Sequence, residues 1–235
     1  EKQLADGQFD EAKATFESLE DYADAQTKAK ESVYQKGEKQ LADGQFDDAK
    51  ATFESLEDYA DAQTKAKESV YQKGEKLLAA KDYDGAIAAY QAAGDYSDAP
   101  TKAKDAQYKK GESLLAAGDY DGATAAYQAA GDYGDATTKA KEAQYQKGER
   151  LLAEQDNEAA AQAFASAVGY RDALKRSYQI RYRDLHEGKI AAGDDHTVGL
   201  KTDGTVAATG YNGSGQCDVS GWRDIVAVSA GGWHT

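Results

Sequence analysis

The sequence predicts a mainly α protein: a right-handed α-α solenoid of helix pairs, followed by a small β segment. Three observations predict it. A block of sequence recurs every 37 residues, apolar side chains within each block fall at helical spacing, and after residue 187 the wording changes to alternation, Gly and an Asp-Gly turn. A period between about 20 and 50 residues marks an array, because each unit exposes an apolar face that its neighbour must cover.

The recurrence is close at the start of the chain. EKQLADGQFDEAKATFESLEDYADAQTKAKESV, residues 1 to 33, returns at 38 to 70 with one change, Glu11 against Asp48. Looser copies run from Tyr71 through Tyr108 and Tyr145 to a degenerate end near Tyr182. Within a unit, Val70, Gly74, Leu77 and Leu78, with Tyr71 at the edge, make a stripe that predicts a long first helix. Tyr83, Ala86, Tyr90 and Ala93 make a second, shorter face at intervals of three, four and three residues. Each copy keeps an aromatic at the first and third of these positions until Asn157. Two antiparallel helices per unit follow. In the connecting phrase GDYSDA, Asp98 is placed to cap the next long helix by accepting backbone N–H groups. Pro100 then falls in the first turn, where its missing N–H is not needed.

This pattern resembles the tetratricopeptide repeat. Counted from Gly74 as the family's small residue, Tyr83, Ala86, Tyr90 and Ala93 stand where the family places aromatic, small, aromatic and small side chains. The unit departs from the family in its length, 37 residues against about 34. It also replaces the family's helix-ending Pro with a Gly-Asp-Tyr phrase and lacks the first-helix Trp. It is similar to the variant common in Firmicutes proteins, often on the outer face of the cell. The resemblance therefore implies a bacterial surface protein, with a cytoplasmic location as the alternative. It supplies no ligand.

Composition limits the partner. With 28 basic and 42 acidic residues the formal charge is -14, and Lys is spread evenly through the helical part, which argues against a phosphate backbone as partner. No apolar run is long enough to span a bilayer, so no membrane insertion by this segment is expected. The lone Cys217 excludes an internal disulfide framework and a Cys-rich zinc site. No cofactor is expected. The expected partner is a protein or peptide.

Two groups in the array are candidates for binding. The first is the set Asp95 and Asp98, with Asp21 and Asp24, Asp58 and Asp61, and Asp132 and Asp135. Repeated calcium ligation needs six or more oxygens and a Gly-centred ligand run, and each loop offers two carboxylates; helix capping is the favoured reading. The second is a candidate partner-binding ladder on the long helix: Glu68, Tyr71 and Glu75, recurring as Asp105, Tyr108 and Glu112 and as Glu142, Tyr145 and Glu149. Offsets of three and four place these side chains beside each other. A column of Tyr flanked by carboxylates suits a basic or amphipathic peptide. The competing reading is that Tyr packs between units and the acids form a solvated face.

After the last helix, Gly188 is placed as a C-cap stop, and a second domain is expected over 188–235 after the helical one at 1–187. Val198 and Leu200 alternate with Thr197 and Gly199, Asp203-Gly204 predicts a two-residue hairpin turn, and Val206 and Ala208 return. IAAGDDHT at 190 to 197 is echoed by VSAGGWHT at 228 to 235. The phrases AGDDHTVGLKTDGTVAATG and NGSGQCDVSGWRDIVAVSAG resemble the regulator of chromosome condensation repeat. That resemblance implies one blade of a seven-bladed β-propeller, a generic binding platform; the founder's nucleotide exchange and chromatin binding do not carry over to one acidic repeat.

On this reading Asp194, Asp195 and His196 form a loop leading into a blade strand, and His196, like His234, satisfies local backbone groups. A catalytic site needs a nucleophile, a base and an orienting group in reach. Ser220, Ser229, Cys217 and the His residues lie in a short β segment with no nucleophile elbow, so no enzyme is expected. Zinc held by His196, Cys217 and His234 lacks close ligand pairs. Because the chain begins in mid-pattern without Met and ends as the second β repeat starts, a fragment of a longer protein is expected.

Overall fold

The structure is a computed structural model and describes residues 2–20, 22–186, 189–201 and 203–235, the side chains of 182–186 excepted. Gly188, and with it the boundary drawn at 187 and 188, lies outside the described residues, as does Asp21. Eleven consecutive helices precede three strands among the described residues. The helices are α1 (Lys2–Ala5), α2 (Phe9–Glu17), α3 (Ala25–Ala42), α4 (Phe46–Glu54), α5 (Ala62–Ala79), α6 (Tyr83–Ala93), α7 (Ala99–Ala116), α8 (Tyr120–Ala130), α9 (Ala136–Ala153), α10 (Asn157–Ser166) and α11 (Ala173–His186). The chain divides into two compact units, Glu1–Ala143 and Gln144–Thr235, with the division inside α9.

Long and short helices alternate, as the two stripes in each 37-residue block require. The long ones draw on Ala, Lys, Glu and Gln, all good helix formers, and α3, α5, α7 and α9 are each 18 residues long. What joins a long helix to its short partner is a glycine facing a ring. A Cβ on Gly74 would lie 2.8 Å from Tyr90 Cε1, and one on Gly111 would lie 2.8 Å from Tyr127 Cδ1. Gly37 meets Phe53 and Gly148 meets Phe164 in the same way. The missing side chain lets a whole aromatic ring reach the helix backbone, and Tyr90, Phe53 and Phe164 are fully buried there. Val70, Ala86, Ile87, Ala93, Ala99 and Ala106 complete the core around Tyr90. Burying one such ring is worth about 1.5–3 kcal/mol.

The capping expectation is corrected in one respect. Asp24, Asp61 and Asp98 do stand at the N-caps of α3, α5 and α7, yet their side chains make no capping hydrogen bond. The side-chain caps belong to the short helices: Asp82 accepts from Gly85 N at 3.0 Å, Asp119 from Gly122 N at 2.9 Å and Asp156 from Ala159 N at 3.1 Å. Pro100 sits in the first turn of α7 as expected. The residue before the N-cap Asp turns the chain through the left-handed region in every copy, at Ala23, Ala60, Ser97, Gly134 and Arg171 with φ between 45° and 55°. Gly134 alone among these carries no Cβ to strain there.

The β segment is a three-stranded antiparallel sheet of β1 (Ile190–Ala192), β2 (His196–Leu200) and β3 (Val206–Gly210), in that order. β1 pairs Ala191 with Val198, and β3 pairs Val206 with Leu200. The alternation is as read: Val198 and Val206 are buried with Val219, and Leu200 and Ala208 pack beside them. The turn differs from the two-residue form. Lys201 N donates to Thr205 O at 2.8 Å and Gly204 N returns to Lys201 O, so the loop is wider and carries Gly204 at φ 74°. Asp203 holds it by accepting from both Thr205 N and Thr205 Oγ1.

Candidate functional site

The ladder tyrosines occupy the joints between repeats. Each long helix sends one Tyr hydroxyl to the Asp that begins the next long helix: Tyr34 to Asp61 at 2.5 Å, Tyr71 to Asp98 at 2.6 Å, Tyr108 to Asp135 at 2.6 Å, and Tyr145 to Asp172 at 2.7 Å. This is where the capping carboxylate is spent. The Asp backbone carbonyl still opens the helix, Asp98 O accepting from Lys102 N at 2.9 Å.

The rings are held too. Tyr71 meets Tyr90 and Tyr96 edge to face at 5.6 and 5.5 Å, and Tyr108 meets Tyr127 and Tyr133 at 5.4 and 5.9 Å. Tyr145 packs against Phe164 and Tyr170, with the Arg171 and Arg176 guanidiniums over its ring. The hydrogen bond to Asp98, then burial, pushes the Tyr71 hydroxyl well above the ordinary tyrosine range. Asp135 does the same to Tyr108, while burial leads at Tyr145.

The acids of the ladder divide into two sets. Glu68, Asp105 and Glu142 are partly buried and engaged: Lys65 reaches Glu68 at 3.0 Å, Lys139 reaches Glu142 at 3.0 Å, and Asp105 accepts from Tyr133 and Lys109. Glu75, Glu112 and Glu149 are exposed, and Lys102 and Arg176 approach Glu75 and Glu149 at 3.2 Å. The structure thus brings each Tyr together with an Asp 27 residues on that the ladder did not include. The signal was present, since a Tyr and an Asp 27 residues apart recur in step with the 37-residue period.

The paired carboxylates do not converge. Asp98 and Asp135 face tyrosines, whereas Asp95 and Asp132 each accept a Lys ammonium at 2.6 Å, from Lys67 and Lys104. Those ammonium groups hold both carboxyls below the usual carboxylate range. Among the described residues, no group of three or more His, Cys, Asp or Glu gathers so as to hold a metal ion. His196, Cys217 and His234 are therefore not brought together.

His196 is buried at the start of β2, 3 % exposed, and its role is not the local one expected. Its Nε2 lies 3.0 Å from Thr235 Oγ1, which itself donates to Gln216 O at 2.7 Å. With its proton spent on that carbonyl, the Thr235 hydroxyl accepts, so Nε2 carries the imidazole proton. His196 Nδ1 has no protein partner. Gly193 makes the ring's seat: a Cβ there would fall 2.5 Å from His196 Nδ1 and from Gly231 O. Gly193 N donates to His196 O at 2.8 Å, and Gly231 N to His234 O at 2.9 Å. The two Ala-Gly-x-x-His-Thr phrases thus form the same turn, and the second supplies the hydroxyl that the first one's His binds.

Comparison with protein families matches residues 189–216 to the regulator of chromosome condensation (RCC1) repeat. No curated protein matches the chain. None of its helices, among the described residues, is long and apolar enough to cross a membrane. The chain is a mostly helical array of repeats followed by a small antiparallel sheet that carries an RCC1-type repeat, and the two kinds of repeat suggest an interaction module.

Proposed function

We propose that the chain is a non-enzymatic protein-interaction scaffold within a larger bacterial surface protein. Its helical part is a 37-residue variant of the tetratricopeptide repeat, and its β segment begins a propeller. One observation carries this reading. Four residues after each joint Tyr, a carboxylate stands exposed: Glu38 after Tyr34, Glu75 after Tyr71, Glu112 after Tyr108, Glu149 after Tyr145. The joint holds the helix and the acid stands exposed one helical turn on, with Lys102 beside Glu75 and Arg176 beside Glu149. A repeated acidic position on a rigid helix suits a basic or amphipathic peptide. Each tyrosine orients the acid of its own helix and is not itself a contact residue.

The test follows from that division. Replacing Tyr108 or Tyr145 by Ala opens a core, so the informative variant is Glu75→Gln with Glu112→Gln and Glu149→Gln. It is expected to lose a partner captured from the native environment, and the capture by the unaltered chain is expected to weaken with salt. Deleting residues 34–70, one full period, keeps the other units and is expected to retain that partner.

A second reading is a structural spacer that presents the C-terminal propeller domain. It is favoured by the engagement of Tyr71, Tyr108 and Tyr145 in the joints. It expects capture indifferent to the three glutamates and complete with the β segment alone.

A further inference from the structure

The last helix departs from the repeat at four neighbouring positions, all exposed in α11. Where the preceding units carry Thr137, Pro100 and Gln63, α11 carries Leu174; where they carry Thr138, Thr101 and Thr64 it carries Lys175. Lys141, Lys104 and Lys67 become Tyr178, and Gln144, Gln107 and Val70 become Arg181. Lys67 and Lys104 are tied to Asp95 and Asp132, and the position equivalent to those two acids is Gly169. An ion pair has been exchanged for an aromatic ring.

These side chains lie open. Leu174 is 47 % exposed and Tyr178 64 %, and Val168, just before the helix, is 49 %. Between Tyr22 and Val168 no other large hydrophobic side chain is exposed among the described residues. The three form one patch. Leu174 and Tyr178 stand four apart on the helix surface. In other units the side chain equivalent to Leu174 reaches back to the carbonyl equivalent to that of Val168: Gln26 to Glu20 O, Gln63 to Glu57 O and Thr137 to Gly131 O. Ala173, Ser177 and Ile180 make the buried face of α11, and Leu174 and Tyr178 lie outside it, at positions where the other units carry polar residues or Pro100. Lys175 and Arg181 rim it, both exposed.

We propose that this face of α11 docks an acidic, amphipathic peptide segment of a partner protein, with an apolar anchor on Leu174, Tyr178 and Val168 and carboxylates on Lys175 and Arg181. The net charge of -14 does not oppose this, because surface charges act over about 8 Å at physiological salt and the local charges are basic. An anionic membrane and a second copy of the chain are the other occupants that the test separates. The inference rests on the chain being an interaction module, but it names a surface separate from the exposed glutamates, which prefer a basic partner.

The test is selection of a displayed library of random peptides on the full chain, repeated on two variants built from residues the array already uses: Leu174→Thr with Tyr178→Lys, and Lys175→Thr with Arg181→Gln. Circular dichroism checks that both fold. Peptides rich in Asp and Glu around an apolar anchor are expected, with affinity falling about tenfold or more in the first variant, and with salt sensitivity reduced in the second. Selected peptides that lack an acidic bias, or that bind both variants as they bind the parent, overturn the α11 site. If the glutamate variant still affects capture, the module reading stands without it. A library that yields no binder overturns the α11 site as well. So does a loss, in the first variant, of binding to anionic phosphatidylserine vesicles or of concentration-dependent self-association in sedimentation, since either result assigns the face to another occupant.

Discussion

Tyr90 and Tyr108 belong to neighbouring repeats, yet the same substitution to Phe is expected to move stability in opposite directions. Tyr90 is fully buried, and its hydroxyl has no protein hydrogen-bond partner. Burial, with Glu75, Asp105 and Asp98 nearby, pushes its pKa up to about 12. Leaving a polar group buried and unpaired costs about 1–3 kcal/mol, and the chain already places Phe at the equivalent position in three copies, Phe16, Phe53 and Phe164. The ring's contacts with Gly74 and Tyr71 survive the change. Tyr90→Phe is therefore expected to stabilise by about 1 kcal/mol, a rise of about 2–4 °C in Tm for a chain of this size. Tyr127, equally buried and unpaired, is expected to behave alike, and the two gains to add. Tyr108→Phe loses a 2.6 Å bond to the exposed Asp135, whose carboxylate is rehydrated at once, so the loss is about 1 kcal/mol or less. Thermal unfolding followed by far-UV circular dichroism reads both. A lower Tm for Tyr90→Phe refutes the reasoning, because it means that the hydroxyl contributes a bond worth more than its burial costs.

Three further outcomes follow from the same geometry. Gly111→Ala places a Cβ 2.8 Å from the immobile Tyr127 ring; overpacking of about 1–3 kcal/mol outweighs a helix-propensity gain of about 1 kcal/mol, so a net loss in denaturant midpoint is expected. Raised tyrosine pKa values mean that the folded state holds protons the unfolded chain releases near the ordinary value of 10.0. Stability is thus fully present below that pH and falls as pH rises above it. Spectrophotometric titration is expected to show tyrosines ionising together with loss of helix, and independent ionisation with the helix intact would contradict this. His196→Ala removes the buried ring between Gly193 and Thr235 and is expected to cost about 2 kcal/mol, read as early loss of the Trp222 and Trp233 fluorescence signal while helical dichroism persists.

The helix pairs were legible because their cause is local. Gly74, Tyr83, Ala86, Tyr90 and Ala93 fall on helical faces whatever surrounds them, and copying the unit repeats the same packing problem with the same solution. The alternation of Val198, Leu200, Val206 and Ala208 was legible for the same reason, since a strand's two faces follow from its period. The hairpin turn is not legible in this way, because Asp203-Gly204 fits a two-residue loop as well as a wider one, and the choice is made by strand pairing. β1 carries no signal of its own, because Ile190–Ala192 is three residues long and gains its shape from β2.

Side-chain partners belong to the tertiary structure. Asp98 has the right position for a helix cap, and locally nothing else competes for it. In the fold the hydroxyl of Tyr71, from the preceding repeat, reaches it instead. His196 looks local beside Asp194 and Asp195, yet it binds Thr235, 39 residues away. Periodicity determines which face a residue occupies, because that is set by backbone geometry along the chain. Which group satisfies a given donor or acceptor depends on distances of about 3 Å between distant segments, and those exist only once the segments have packed.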